Sequence, residues 1–297
     1  MNPVSKIVVA LRDIRNHPVN RSHKNKAVLK YGFVQVAARL VPGDVCVDFP
    51  NGTRLLVPPL MKGAAHYISP GLCEFEDMAF VMHYLRPNDL FVDIGANIGA
   101  FTVLASGAAG CQTVAFEAAP DTYEALSRNI RLNGLQDRVT AVMAAAAQKE
   151  GETYFTSGLG TENYIDPSHN GNSGTKVKMT TVDVQLAGKS PDVLKVDVEG
   201  FETEVFAGAV NTLKSPKLQA ILIEKDGLGA RYGFDEEPLH RNIEQHGFVP
   251  CTYQPFSRQL VPGKDEGLRN IIYTRDIKAA NEKLRSATPF KLGDLSV

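Results

Sequence analysis

Short apolar runs, each followed by a polar turn and a stretch of helical period, recur from Leu90 to about Arg275. Strands are predicted near 90–94, 111–117, 138–144, 193–198, 218–224, 248–254 and 269–274. Helices are predicted near 98–108, 121–133, 201–213 and 236–246. This alternation predicts an α/β fold: a mainly parallel, seven-stranded, Rossmann-like sheet with right-handed crossovers and helices on both faces. Upstream, residues 1–40 read as a short helix, a turn and a second helix from Lys26 to Leu40. Residues 44–60 read as a β-hairpin turning at Asn51-Gly52. Residues 61–73 are glycine-rich and loop-like, and Glu74 to Leu85 fits a helix closed by Arg86-Pro87-Asn88-Asp89. The segment 156–176 is a long Gly/Ser/Asn/Thr loop, of the kind that is functional or disordered in compact domains. The expected organisation is an N-terminal extension over 1–73, a main domain over 74–276 and a polar tail over 277–297.

The first predicted core strand runs into Asp93-Ile-Gly-Ala-Asn-Ile-Gly99. A strand, a glycine turn and a following helix form the first step of a nucleotide-cofactor domain. Glycines let the backbone approach a ligand, and Gly99 lets the next helix pack on the strand. Asp93 lies within the turn itself. A charge there would repel a pyrophosphate and suits a cationic, hydroxyl-rich ligand such as S-adenosylmethionine. The second strand ends at Glu117, close to the ~20 residues expected for a carboxylate that reaches a ribose. Its two oxygens can accept from adjacent 2′- and 3′-hydroxyls. The competing reading makes Glu117 a helix cap. Asp121, with Glu124 three residues on, fits that capping role better.

A second cluster follows the fourth strand: Lys195-Val-Asp197-Val-Glu199-Gly-Phe-Glu202. Alternation puts Lys195, Asp197 and Glu199 on one face. Three charges are costly to bury, which places them at the strand's carboxyl end, where α/β ligands bind. The next strand ends in Glu224-Lys225-Asp226-Gly227, so two neighbouring strands deliver acids to one rim. These acids can act on a substrate, hold a metal, or form a structural network with Lys195.

Composition narrows the classes. The chain has 297 residues and a net charge of −1, with no long basic run, which argues against nucleic acid as the main partner. No apolar stretch approaches the ~20 residues of a membrane span. The apolar run Ile7 to Leu11 is too short for a secretory leader, so a cytoplasmic location is expected. The four cysteines (Cys46, Cys73, Cys111, Cys251) form no CxxC pair and suggest neither zinc nor a disulfide frame. Nothing in the sequence sets the oligomeric state, a homodimer included. The seven histidines form no cluster. His240 and His246 read as surface residues, His66 as a base to test, and His169 as a loop residue that can meet substrate. Tyr67, Tyr164 and Tyr232 are candidates for stacking on a sugar. The basic N-terminal section, with Arg21, Lys24 and Lys26, reads either as a site for an anionic glycan or nucleotide-sugar phosphate or as a solvated brace.

The chain resembles the FkbM family of S-adenosylmethionine-dependent methyltransferases. The matching segments are Asp93–Gly99, Phe116-Glu117, Lys195–Glu202 and Ile223-Glu224, together with Glu74. Asn97, where many methyltransferases carry glycine, is the FkbM form of that turn. Cys73 stands where a histidine would be expected, and Ala118 where proline is common. The resemblance spans about 70–275 and implies a class I methyltransferase fold and O-methylation, often of sugar or polyketide hydroxyls. By position it implies that Gly95, Ala96, Asn97 and Gly99 face the methionine part, Asp93 its ammonium end, and Glu117 the ribose. The adenine falls near Met143 to Ala147, Ala144 included, with Glu74 and Asn163 as further cofactor-side residues. For the chemistry, Asp197, Glu199 or Glu224 would take the proton, with Lys195 in the same network. Alternatively Asp197, Glu199 and Asp226 would bind Mg²⁺, since oxygen-only ligands suit it better than zinc. The leading expectation is an O-methyltransferase on a sugar, glycan or glycolipid precursor. The competing ones are a polyketide-like or amino acceptor, an idle S-adenosylmethionine-binding module, and a NAD-dependent oxidoreductase.

Overall fold

The structure, a computed structural model, describes residues 3–21, 23–40, 43–58, 67, 72–156, 163–166, 174–225, 227–264, 269–292 and 295–297. Two helices, α1 (Pro3–Asn16) and α2 (Lys24–Leu40), precede a hairpin of β1 (Val45–Asp48) and β2 (Arg54–Val57). α3 (Phe75–Tyr84) leads into the central sheet. Its first four strands in sequence are β3 (Leu90–Ile94), β4 (Gln112–Phe116), β5 (Val139–Val142) and, after a side sheet, β9 (Val193–Val196). β10 (Ala220–Glu224), β11 (Val249–Gln254), β12 (Gln259–Pro262) and β13 (Asn270–Thr274) complete it. The spatial order is β12-β11-β13-β10-β9-β3-β4-β5. β5, β4, β3, β9 and β10 pair parallel; β13 pairs antiparallel with both β10 and β11, so β11 points the same way as those five, and β12 pairs antiparallel with β11. All seven expected strands are therefore present, with β12 added at one edge as a hairpin partner of β11.

The central strands are buried on both faces, so they read as near-continuous apolar runs. Successive residues alternate between two cores. Phe91, Ala115, Val193 and Leu222 join α3, α4 (Ala100–Val103), α5 (Pro120–Leu132) and α10 (Ile277–Arg285) on one side. Val92, Val114, Leu194 and Ile223 join the other side. There they meet α6 (Val182–Leu186), α7 (Glu202–Ala207), α8 (Val210–Lys214) and α9 (Glu236–Gln245). α4 passes into a π-helical turn over Leu104–Ala108.

Three expectations change. α5 starts at Pro120, whose fixed φ suits the first helical position, so Asp121 falls one residue inside the helix. The cap residue is Ala119, without a side-chain bond, and Glu124 pairs with Arg131 instead of closing a capping box. The long loop is flanked by real strands: β7 (Gly151–Thr156) and β8 (Gly174–Thr180) pair antiparallel, beside the short β6 (Ala145–Ala146). Residues 277–297 are not a tail. α10 and a small hairpin, β14 (Lys291–Leu292) with β15 (Leu295–Ser296), bury Ala280, Leu284, Phe290 and Val297 against α3 and its neighbours. Among the described residues no helix is long and apolar enough to cross a membrane.

Candidate active site

The turn after β3 is held from the neighbouring strands. The N–H groups of Gly95 and Ala96 both donate to the Phe116 carbonyl (3.1 and 2.9 Å). Gly95 has φ +77, and a Cβ there would lie 1.8 Å from the Asp197 carbonyl oxygen. Its missing side chain is thus taken up by the backbone after β9, which seats the turn directly against the acidic cluster. Gly99, at φ +90, packs on Leu126 of α5, where a Cβ would come within 2.6 Å. Asn97 is left-handed at φ 54, and its Oδ1 accepts from the Ile98 N–H. Asparagine is one of the few side chains suited to that region.

Glu117 closes this half of the site. It is buried, and its Oε2 and Oε1 accept from the N–H groups of Asn97 and Ala119, each at 2.9 Å. A carboxylate has about four lone-pair positions, so acceptor capacity remains after these bonds. Burial pushes its pKa up to about 7, against the pull of the Ala119 and Asn97 N–H groups.

Lys195 ties the two halves together. It is 4 % exposed, with Nζ 3.0 Å from Asp197 Oδ2 and 3.8 Å from Asp93 Oδ1, over the Phe101 ring at 4.9 Å. Burial alone would lower its pKa, but Asp197, Asp93 and Glu74 outweigh that and hold it above the ordinary lysine value. Burial likewise pushes Asp197 up, yet the close Lys195 and the neighbouring Glu224 and Arg269 leave it below the usual carboxylate range. Asp93 stands farther from the ammonium, and there burial wins and the pKa rises. Asp93 has no exposed surface. Its Oδ2 accepts from Thr102 (2.7 Å), while Oδ1 is buried with no hydrogen bond.

At the carboxyl ends of β9 and β10, Asp197, Glu199 and Glu224 each bring a carboxylate oxygen within 4.8 Å of the others. Glu199 sits at φ 56, off the β alternation expected from the sequence. Its turn is clamped by Glu202, whose Oε1 accepts from Val198 N–H (3.1 Å) and Gly200 N–H (3.2 Å). Glu224 pairs with Arg269 at 3.0 Å. Glu74 joins from α3's start. Asn270 Nδ2 donates to both Glu74 Oε2 (3.0 Å) and Asp77 Oδ2 (2.8 Å). Burial and the charge of Asp197 push Glu74 up to about 8, and burial carries Asp77 to about 6. Tyr67 and Cys73 lie in the same field. Burial first, then the charges of Glu74 and its neighbours, push the phenol and the thiol well up, so neither is poised as an anion.

The sequence did not single out Asn270, Asp77, Thr102 or Phe101. Only the register of β13, which sets Asn270 opposite Glu224, points to the first of them. Ala144 is buried beside β6, while Met143 is half exposed. Asn163 lies at the β7–β8 loop, its Oδ1 accepting from Thr156 Oγ1 at 3.3 Å. Nearby, Arg231 stacks over Tyr164 at 4.2 Å and Tyr232 donates to the Ile165 carbonyl, so both aromatics already have protein partners. Asp226, His66 and His169 lie outside the described residues. His240 is not a surface residue: it is 3 % exposed, bonded through Nδ1 to Tyr273 at 3.0 Å.

The sheet order, with six strands pointing one way and an antiparallel β13 between β10 and β11, and a glycine turn after β3 define a methyltransferase-type α/β domain. The methyltransferase FkbM domain model matches residues 93–250, and the chain belongs to that family. Methyltransferase sdnD of Sordaria araneosa is 30 % identical over 169 residues, covering 45 % of this chain and 65 % of its own length. Hexuronic acid methyltransferase AglP of Haloferax volcanii is 29 % identical over 144 residues, covering 48 % and 59 %. The chain thus spans less than two thirds of either relative. Among solved structures, the C-terminal domain of precorrin-6Y C5,15-methyltransferase from Rhodobacter capsulatus aligns at TM-score 0.39 and 15 % identity, over 68 % of this chain and 88 % of that one. The M. jannaschii tRNA m1G37 methyltransferase aligns at 0.39 and 17 %, over 77 % and 55 %.

Proposed function

We propose that the chain transfers a methyl group from S-adenosylmethionine to a hydroxyl of a sugar, glycan or glycolipid precursor. One observation carries this reading: Gly95 packs on the Asp197 carbonyl, so the cofactor turn and the acidic cluster share one rim. The name of one relative, a hexuronic acid methyltransferase, points to the same acceptor class. S-adenosylmethionine supplies an electrophilic methyl on a sulfonium, and the residues present fit it. Glu117 retains acceptor capacity toward ribose hydroxyls, and Asp93, fully buried beneath the turn with Lys195 3.8 Å from its Oδ1, contributes negative field for a cationic ligand rather than a direct contact. The Gly95–Gly99 backbone would border the methionine part and Ala144 and its neighbours the adenine, with Asn163 and Glu74 as further cofactor-side residues.

On the acceptor side, Lys195 keeps Asp197 ionised as an orienting hydrogen-bond acceptor, and Glu199 takes the hydroxyl proton. The spacing of Asp197, Glu199 and Glu224 supports a second reading, in which the three hold Mg²⁺ and lower the hydroxyl's pKa. Transfer of labelled methyl to a panel of hexoses, uronic acids and amines tests the whole. The expected product is an ether that survives mild alkali and forms after thorough chelation if Glu199 acts alone. An alkali-labile ester or a methylated amine contradicts hydroxyl transfer. Activity abolished by chelation and restored by Mg²⁺ favours the metal reading.

Cofactor affinity should also depend on pH. Glu117's folded pKa of about 7 lies above an unfolded carboxyl's ~4.3, so the folded chain holds the extra proton between those values. Stability from this group falls as pH rises through that window and is flat above it. The ionised form is the one that accepts from ribose hydroxyls. Affinity for S-adenosylmethionine should therefore rise up to about tenfold between pH 6 and pH 8 and then level. Calorimetric titration at three pH values measures it, and a flat profile contradicts the assignment.

A further inference from the structure

The N-terminal helical pair is unlike the rest of the chain in charge and in surface. Residues 1–40 carry eight Lys and Arg against one acid, a net +7, while the remainder carries 24 basic residues against 32 acids, a net −8. On α2, Leu29, Phe33 and Val36 fall at i, i+4 and i+7, one face of a helix. Leu29 and Phe33 are each 73 % exposed and Val36 is 58 % exposed, and α1 adds Val8 and Val9. Lys24 and Lys26 at the start of α2, and Arg12 and Arg15 on α1, are exposed as well. These apolar residues are five of the ten large hydrophobics exposed among the described residues, gathered on two helices. Single exposed apolar residues are ordinary, whereas a gathered set marks an interaction surface.

The pair is also fixed to the catalytic domain. The His17 ring bonds to the Leu72 carbonyl at 2.7 Å and stands edge-on to Phe75 at 5.6 Å, either side of Glu74. Arg21 lies over Phe256 at 5.8 Å, and Phe256 is itself half exposed. Whatever the helices bind is therefore brought beside the Glu74 side of the site.

We propose that α1 and α2 dock the protein on an anionic lipid surface, with the apolar stripe entering the headgroup region and the basic residues meeting the lipid charge. An apolar helical face with basic flanks is the pattern of an interfacial helix, and juxtaposed lysines and arginines are drawn to anionic leaflets. Charge selects this occupant over a second copy meeting face to face, because two +7 helical pairs repel. The docking stands apart from the proposed acceptor, and its test does not read methyl transfer.

The test is sedimentation of the full chain with vesicles of phosphatidylcholine alone or with one third phosphatidylglycerol. Partition onto the anionic vesicles should exceed that onto neutral ones by at least about tenfold and weaken with salt. The double variants Leu29→Asp/Phe33→Asp and Lys24→Glu/Lys26→Glu should each lose about tenfold or more, with circular dichroism unchanged. These positions are exposed, so folding is spared. Absent or equal binding to both vesicles, or variants that bind like the parent, would overturn the proposal. A concentration-dependent dimer that Phe33→Asp dissolves, without vesicle binding, would overturn it too and make the face an interface between copies.

Discussion

Replacing Lys195 with Met should cost about 3–5 kcal/mol of folding stability, because it strands buried carboxylates without their counter-ion. Asp197 loses a 3.0 Å partner, Asp93 a 3.8 Å one, and Glu74 a nearby positive charge. Methionine fills a similar volume and keeps the contact with Phe101, so packing alone does not explain a large loss. The pH dependence separates charge from packing. In the parent, Lys195's contribution is present below the ordinary lysine pKa of ~10.4 and is lost only as pH rises through the higher folded value, so it is constant near neutrality. In the variant, the stranded acids titrate above their unfolded values. The folded state then binds more protons, and stability falls as pH rises from about 4. Urea unfolding at pH 5 and pH 8 should show the larger deficit at pH 8. A deficit equal at both, or below about 1 kcal/mol, contradicts the electrostatic role.

Glu199→Gln should lower kcat by about 10²- to 10⁴-fold while leaving S-adenosylmethionine affinity unchanged. The basicity of Asp197 is already depressed by Lys195, and Glu224 faces Arg269. Glu199 instead rides on a left-handed turn that Glu202 clamps through two backbone N–H groups. Such conformations cost about 1–3 kcal/mol and persist where the surroundings enforce them, often at functional sites. Asn97 holds the same kind of backbone at φ 54 on the cofactor side of the rim. Glutamine preserves size and hydrogen bonding but cannot take a proton. Single-turnover assays paired with cofactor titration separate the two effects. Unimpaired turnover would remove both the base and the metal role from this residue.

The strands were legible because parallel strands covered on both faces are written as near-continuous apolar runs, as in Leu90–Val92 and Ala220–Ile223. The rim was legible because its residues lie in two short motifs, 93–99 and 195–202. Pairings across long sequence separations were not. Asn270 meets Asp77 and Glu74 from 193 and 196 positions away, and nothing local marks an amide between two acids. His240 is polar on a polar helix, and its buried partner Tyr273 comes from β13, 33 residues away. The C-terminal helix does carry an apolar stripe, Ile277, Ala280 and Leu284 at i, i+3 and i+7, but it is short and set among Lys278, Glu282, Lys283 and Arg285, so composition alone reads it as a polar tail. Pro120 moved the helix cap two positions, from Asp121 to Ala119, which makes Asp121 a first-turn acid.

The most direct test of the central claim, a cofactor site built on Glu117, is calorimetric titration with S-adenosylmethionine, S-adenosylhomocysteine and NAD on the parent chain and on Glu117→Ala. The account predicts micromolar binding of the first two, none of NAD, and a loss of about 100-fold or more in the variant, since two charge-assisted bonds of about 1.5–3 kcal/mol each disappear. Binding of NAD in their place, or equal affinity in parent and variant, would contradict it.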